Sequence, residues 1–308
     1  MKIEVVRLKK HFGNVKAVDD ISFSFTAGQI FGFIGPNGAG KTTTMRILAT
    51  LEEPTGGDAF IDGVSVVQDP EKARCLVGYM PDSLPTHRDM TIHDYLDFFA
   101  RAYGIKGDKR RQVVDSIEEF TNLGEIRHKL LNTLSKGMKQ RVSLARALVH
   151  NPPIMILDEP AAGLDPRARI ELRELLKVLA AQGKAILISS HILTELAEIC
   201  NGSVIIEHGR LLMAGSMQEI MQQKSTRRVV VRSLKGVAET HKALLQMPYV
   251  ENARLLGNEV EVQLEGGDET ACEVLARLVQ SGCQICEFRQ AQTNLEDVFM
   301  HVTKGEVQ

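Results

Sequence analysis

An α/β fold carrying a helical insertion, with a smaller α+β domain behind it, is what this sequence predicts. Three observations carry the prediction: a glycine-rich loop set between an apolar strand and a helix at 29–51, a second apolar strand ending in two carboxylates at 153–159, and a change of texture after Ser216. Before Ser216, glycine-punctuated strands alternate with amphipathic helices, the pattern of a layered α/β core.

Residues 1–10 alternate polar and apolar as a strand does, and they lack the apolar centre of a signal peptide. Gln29-Ile30-Phe31-Gly32-Phe33-Ile34 reads as a buried strand and 43–51 as a helix. Between them Gly35-Pro36-Asn37-Gly38-Ala39-Gly40-Lys41-Thr42-Thr43 fits G-x-x-x-x-G-K-[ST], the spacing of a phosphate-binding loop. Glycines let the backbone turn tightly, so that successive N–H groups converge on an anion. The helix that follows opens with unpaired donors and a positive dipole end. Lys41 is placed to reach the terminal phosphates and the Thr42 hydroxyl to coordinate Mg²⁺.

Leu76-Val77-Gly78-Tyr79-Met80 reads as the next strand, followed by Pro81-Asp82. From 91 to 134 the pattern is almost purely helical. Thr91 is an N-cap with Asp94 three residues on. Ile92, Leu96, Phe99 and Tyr103 recur at helical spacing before Gly104, and a second helix is predicted at 109–120. Leu134-Ser135-Lys136-Gly137-Met138-Lys139-Gln140-Arg141 leads into a helix at 138–149, which Asn151-Pro152-Pro153 stops. The strand 153–157 then delivers Asp158 and Glu159. Asp158 suits a Mg²⁺ ion, which takes one or two carboxylates and keeps several waters. Glu159, one residue past the strand end, suits the base that orients and deprotonates an attacking water. Ala162-Gly163-Leu164-Asp165-Pro166 reads as an N-cap with proline at the first helical position. A strand at 185–189 precedes His191, and two short strands flank His208-Gly209.

Behind Ser216 the predicted order is strand 228–232, helix 239–246, a hairpin of 250–256 and 259–264 around Gly257-Asn258, helix 269–280 and strand 284–289. That β-α-β-β-α-β order is the ferredoxin-like arrangement. Cys283-Gln284-Ile285-Cys286 is a CxxC on a predicted strand, where positions three apart face opposite sides, so it is read as structural.

Bulk composition narrows the classes. The chain has 308 residues, 44% hydrophobic and 25% charged, with a net charge of −2. Nothing there points to nucleic acid as a partner. No apolar run approaches the roughly 18–20 residues of a membrane helix.

These motifs, in this order, resemble the nucleotide-binding subunits of ABC transporters, strongly over 1–216. The family's signature commonly reads LSGGQ. Here Lys136 replaces its first glycine and Met138 its glutamine, while Ser135 and Gly137 remain. The resemblance implies an ABC-type P-loop domain at 1–216, with a helical subdomain at about 88–147, and an accessory domain at 217–308. It implies ATP and Mg²⁺ held by Gly35, Asn37, Gly38, Ala39, Gly40, Lys41, Thr42, Thr43 and Asp158, with Phe12 stacked on adenine. Ser135 and Gly137 close over a partner's γ-phosphate, Asp165 sits in the loop that crosses the dimer interface, and Glu159 and His191 are catalytic. Asp82 stands where the family usually has a glutamine beside Mg²⁺; an aspartate there is shorter and adds negative charge, and it is expected still to approach the metal, with altered coupling to the partner. The expected assembly is a head-to-tail homodimer, or a pair with a second ATP-binding subunit, on the cytoplasmic face of the membrane. An integral membrane permease would dock on the exposed part of 86–103. Thr293-Asn294-Leu295-Glu296-Asp297-Val298-Phe299 resembles the C-terminal segment of ATPases of ABC-2-type exporters. Two alternatives are weighed. A soluble ABC-type ATPase of chromosome maintenance would carry long coiled coils between the phosphate loop and the signature, and no sustained heptads occur here. An ATP-binding regulatory module would have no use for Glu159 and His191. A GTPase would need N-K-x-D, which is absent.

Overall fold

The computed structural model describes residues 1–84, 89–190, 192–222, 227–291, 295, 298 and 299. The chain divides into two compact units, the first ending at Ile220 and the second beginning at Met221.

Two sheets build the first unit. An antiparallel sheet of order β2-β1-β4-β5 is formed by β1 (Lys2–Phe12), β2 (Val15–Thr26), β4 (Gly56–Ile61) and β5 (Val64–Ser65). The second has six strands in the order β10-β9-β3-β8-β7-β6: β3 (Ile30–Ile34), β6 (Val77–Met80), β7 (Ile154–Leu157), β8 (Ala185–Ser189), β9 (Gly202–Glu207) and β10 (Arg210–Ser216). Strands β9, β3, β8, β7 and β6 are parallel, and β10 joins the edge antiparallel. Parallel strands buried on both faces are expected to be apolar throughout, and β3, β7 and β8 are buried at every residue. The inner faces of the two sheets share one core, in which Phe25 stacks on Phe31 at 5.4 Å and Phe23 meets Phe33 at 5.5 Å.

The helices of this unit are α1 (Lys41–Leu48), α2 (Pro70–Leu76), α3 (Ile92–Ala102), α4 (Gly107–Phe120), α5 (Lys136–Leu148), α6 (Pro166–Ala181), α7 (Leu193–Ile199) and α8 (Met217–Gln222). Helix α3 starts as the sequence predicts: Thr91 Oγ1 accepts the Asp94 N–H at 3.1 Å. Gly104, at φ +75°, follows its end. Helices α3, α4 and α5 share a separate apolar cluster around Tyr95, Leu96, Val114 and Val142, which is the helical insertion. Buried Glu118 on α4 meets His93 Nδ1 at 2.9 Å and Arg127 Nε at 3.1 Å, tying α3, α4 and the following turn together.

Three helices of this unit, α1, α4 and α5, begin two residues before their predicted starts. Gly40, at φ +100°, turns straight into α1. Ser135 caps α5 by accepting the Met138 N–H at 3.3 Å, so the helix starts at Lys136. Helix α1 also stops three residues short of the predicted end, because Thr50 takes a left-handed conformation at φ +58°.

His150, just past α5, carries a pH prediction. Its Nε2 donates to the Val77 carbonyl at 3.1 Å and its ring stacks on Tyr103 at 3.8 Å. Burial pushes its pKa from 6.5 down to about 4. Below pH 6.5 the unfolded chain then binds a proton that the folded chain refuses, so stability falls between pH 6.5 and 4. The melting temperature of the parent protein should drop more across that window than that of His150→Gln; equal slopes would remove His150 from the account.

The second unit is a four-stranded antiparallel sheet with two helices. Its strands are β11 (Arg227–Ser233), β12 (Val250–Leu256), β13 (Glu259–Leu264) and β14 (Ile285–Gln290), in the order β12-β13-β11-β14. Helices α9 (Val237–Leu245) and α10 (Asp268–Gln280) cover one face, over Val229, Val231, Val260, Val262 and Leu264. Element order and strand order together are those of the ferredoxin-like fold predicted. All five cysteines are free thiols, including Cys283 and Cys286. Among the described residues no helix is long and apolar enough to cross a membrane.

Candidate functional site

Because β3, β6, β7 and β8 run parallel, their C-terminal ends share one edge of the sheet, which is where α/β folds place ligands. That edge collects the phosphate loop after β3, Asp82 after β6, Asp158 and Glu159 after β7, and Ser189 at the end of β8.

The phosphate loop has the backbone its glycines were predicted to allow. Gly38 and Gly40 lie at φ +80° and +100°. A Cβ at Gly35 would lie 2.5 Å from the Ile206 carbonyl, and one at Gly40 would strike the Ala17 carbonyl. A side chain at either place would push the loop off the strands it packs against. Lys41 is 7% exposed, and its Nζ donates to the Gly35 carbonyl at 2.6 Å and the Pro36 carbonyl at 3.2 Å. Burial lowers its pKa, opposed by the negative charges of Glu159 and Asp158.

Asp158 is buried at the end of β7 and is gripped by two hydroxyls. Ser189 Oγ donates to its Oδ1 at 2.7 Å, and the Thr42 side chain also hydrogen-bonds to it. Burial raises its pKa, as do the nearby charges of Glu159 and Asp82, while the two hydroxyls lower it. No ion pair satisfies this carboxylate among the described residues. A buried carboxylate beside a threonine hydroxyl, short of a cation, is a donor set that fits Mg²⁺.

Glu159 follows at φ +50°, a conformation rare outside glycine. Its N–H donates to Ser189 Oγ at 2.9 Å, and its carbonyl accepts the Ala162 N–H at 3.0 Å. Ser189 therefore fixes both carboxylate residues, a role the sequence reading missed. The one available signal was a polar residue closing the apolar run of β8. The Asp82 carbonyl accepts a bond from buried Gln140 Nε2 at 3.2 Å, which links the loop after β6 to the signature helix.

The signature and the loop before α6 lie at helix starts. Ser135 caps α5, and Asp165 caps α6 by accepting the Ala168 N–H at 3.1 Å. A Cβ at Gly137 would touch Leu164 at 3.4 Å, so the signature abuts the loop before α6. Neither Ser135 nor Asp165 hydrogen-bonds to the phosphate-loop side of its own chain among the described residues. Phe12 is 49% exposed at the end of β1, with Lys10 Nζ 4.8 Å from its ring centre, so it is not a core residue. His191, residues 86–88 of the predicted docking segment, and 293, 294, 296 and 297 of the predicted tail segment lie outside the described residues.

A glycine-rich loop running into a helix, a buried carboxylate and a second carboxylate at one sheet edge have the layout of a nucleoside-triphosphate hydrolase. Comparison with known proteins narrows this. A family profile for ABC transporters matches residues 18–162, and a profile for the C-terminal domain of ATP-binding proteins like DrrA1-3 matches 215–303. The Nod factor export ATP-binding protein I of Rhizobium sp. (strain N33) is 31% identical over 99% of this chain and 98% of its own. An uncharacterized ABC transporter ATP-binding protein of Bacillus subtilis (strain 168), YxlF, is 33% identical over 97% and 99%. A solved ATP-binding subunit of an ABC transporter superimposes with a TM-score of 0.67 at 31% identity, over 72% of this chain and 93% of that one. The chain belongs to the ATP-binding proteins of ABC transporters. It binds nucleotide and supplies the ATP-hydrolysing subunit of a transporter.

Proposed function

We propose that two ATP-binding subunits, two copies of this chain or one copy with a second such protein, close head-to-tail around ATP and so drive an exporting permease. The observation that supports this most directly is that Ser135 and Asp165 cap their own helices and make no hydrogen bond to the phosphate loop, Asp158 or Glu159 among the described residues, so that with Gly137 they are read as a second surface beside the first. Each subunit then lends its second surface to the nucleotide on its partner's first. Lys41 and the loop amides hold the phosphates, and Phe12 offers an exposed ring to adenine. Thr42 and Asp158, with Asp82 nearby, would hold Mg²⁺, whose charge offsets that of the phosphates. Glu159 orients water and takes its proton, and His191 senses the γ-phosphate. The helical insertion is the docking ground for an integral membrane permease, which places the complex on the cytoplasmic face of the membrane. Export as the direction rests on the DrrA-like C-terminal profile and on the export named for the rhizobial relative. ATP acts through differential affinity for the closed pair.

Light scattering tests the sandwich. Purified Glu159→Gln should double in mass on adding Mg-ATP and return to monomer when Lys41→Ala or Ser135→Arg is added. A monomer throughout would remove the closed pair as a property of this subunit alone.

A further inference from the structure

Lys136 is the one position where the signature departs from the family by gaining a long side chain, and the fold gives that side chain a place. It lies in the first turn of α5, and its stem runs back over Gly163 in the turn that follows Glu159. A Cβ at Gly163 would lie 2.7 Å from Lys136 Cδ and 2.8 Å from Nζ. Gly163 also sits at φ +71°, so the turn requires glycine twice over. Beside it, Gly137 abuts Leu164, and one turn further along α5 Arg141 pairs with Glu171 of α6. The Gly163 turn itself is closed by two bonds: the Ala162 N–H to the Glu159 carbonyl at 3.0 Å and the Leu164 N–H to the Ala161 carbonyl at 3.2 Å. A cation in a helix's first turn opposes the dipole, so Lys136 is not there to stabilise α5. Its ammonium has no hydrogen-bond or ion-pair partner among the described residues; what it has is the contact of its stem.

We infer that Lys136 is a positioning residue that latches the signature helix to the turn carrying Glu159 within one subunit. This rests on the sandwich reading above and deepens it. When α5 engages the partner's nucleotide, its motion reaches its own Glu159 through the Lys136–Gly163 contact, so the two composite sites feel each other. The atoms in the way of a methyl at Gly163 belong to a flexible side chain, so Gly163→Ala should displace Lys136, and it adds backbone strain at φ +71° that the double variant shares. Gly163→Ala and Lys136→Gly then remove the same contact.

The test is a double-mutant cycle on the full chain, read by ATP turnover and by amide hydrogen exchange. Each single variant should lower kcat by about three- to tenfold with KM for ATP little changed, and the double variant should be no worse than the worse single one. Lys136→Met, which keeps the stem, should lie closer to the parent than Lys136→Gly does. Exchange at the Ala162 and Leu164 amides should speed up in Lys136→Gly, while the middle of α6 stays unchanged. Additive losses, a Lys136→Met as impaired as Lys136→Gly, or unchanged exchange in the turn would overturn the latch. A failure of the sandwich reading looks different: Glu159→Gln would then stay monomeric in Mg-ATP, while the exchange measurement still reports on the Lys136 contact.

Discussion

Glu159→Gln is expected to cut ATP turnover by about 10²–10⁴-fold while leaving ATP binding intact. The carboxamide keeps the size and shape of the side chain but cannot accept the proton of the attacking water. Backbone geometry should survive, because two main-chain bonds at position 159 are kept: the N–H to Ser189 Oγ and the carbonyl to the Ala162 N–H. Lys41 loses one of the two charges that keep its pKa up, yet Asp158 remains and its contacts to the loop carbonyls are untouched. Binding of a fluorescent ATP analogue should therefore match that of the parent, and single-turnover hydrolysis should collapse. Hydrolysis within tenfold of the parent would move the base elsewhere on this sheet edge.

The parts of the fold set by local spacing were legible in the sequence. The phosphate loop, the apolar strand β7 with its two acids, and the Thr91 cap each need only neighbours within a few residues. The second domain was legible for the same reason, since the Gly257-Asn258 turn brings β12 and β13 together, although its strand order depends on contacts across the sheet. Boundaries were misread where one residue carries unusual geometry: Gly40 and Ser135 start their helices early, and Thr50 ends one. Helix α2 escaped notice because it passes from Leu76 directly into β6 at Val77, with no glycine or proline between them. What the sequence hid most completely were pairings between distant segments. Ser189 meets Asp158 from 31 residues away, and Lys136 meets Gly163 across the junction of α5 and β7. No periodicity announces such contacts; they exist only once the parallel sheet aligns its strand ends.

Ser189→Ala is expected to lower turnover by about 10–100-fold, the usual cost of removing a group that orients a metal-binding carboxylate. One hydroxyl does two jobs here, donating to Asp158 Oδ1 and accepting the Glu159 N–H. Its loss leaves a buried carboxylate with Thr42 as its remaining hydroxyl partner, and it frees an amide in a left-handed residue that is strained without support. The two losses have separate signatures. A displaced Asp158 raises the Mg²⁺ concentration needed for half-maximal turnover, whereas a displaced Glu159 lowers kcat even at saturating Mg²⁺. Both should appear, with ATP binding in the absence of Mg²⁺ held at the parent's level by the untouched phosphate loop. Parental kcat at saturating Mg²⁺ would mean that the turn closed by the Ala162 N–H holds Glu159 by itself. In that case the base is positioned by its own loop, and Ser189 serves Asp158 alone.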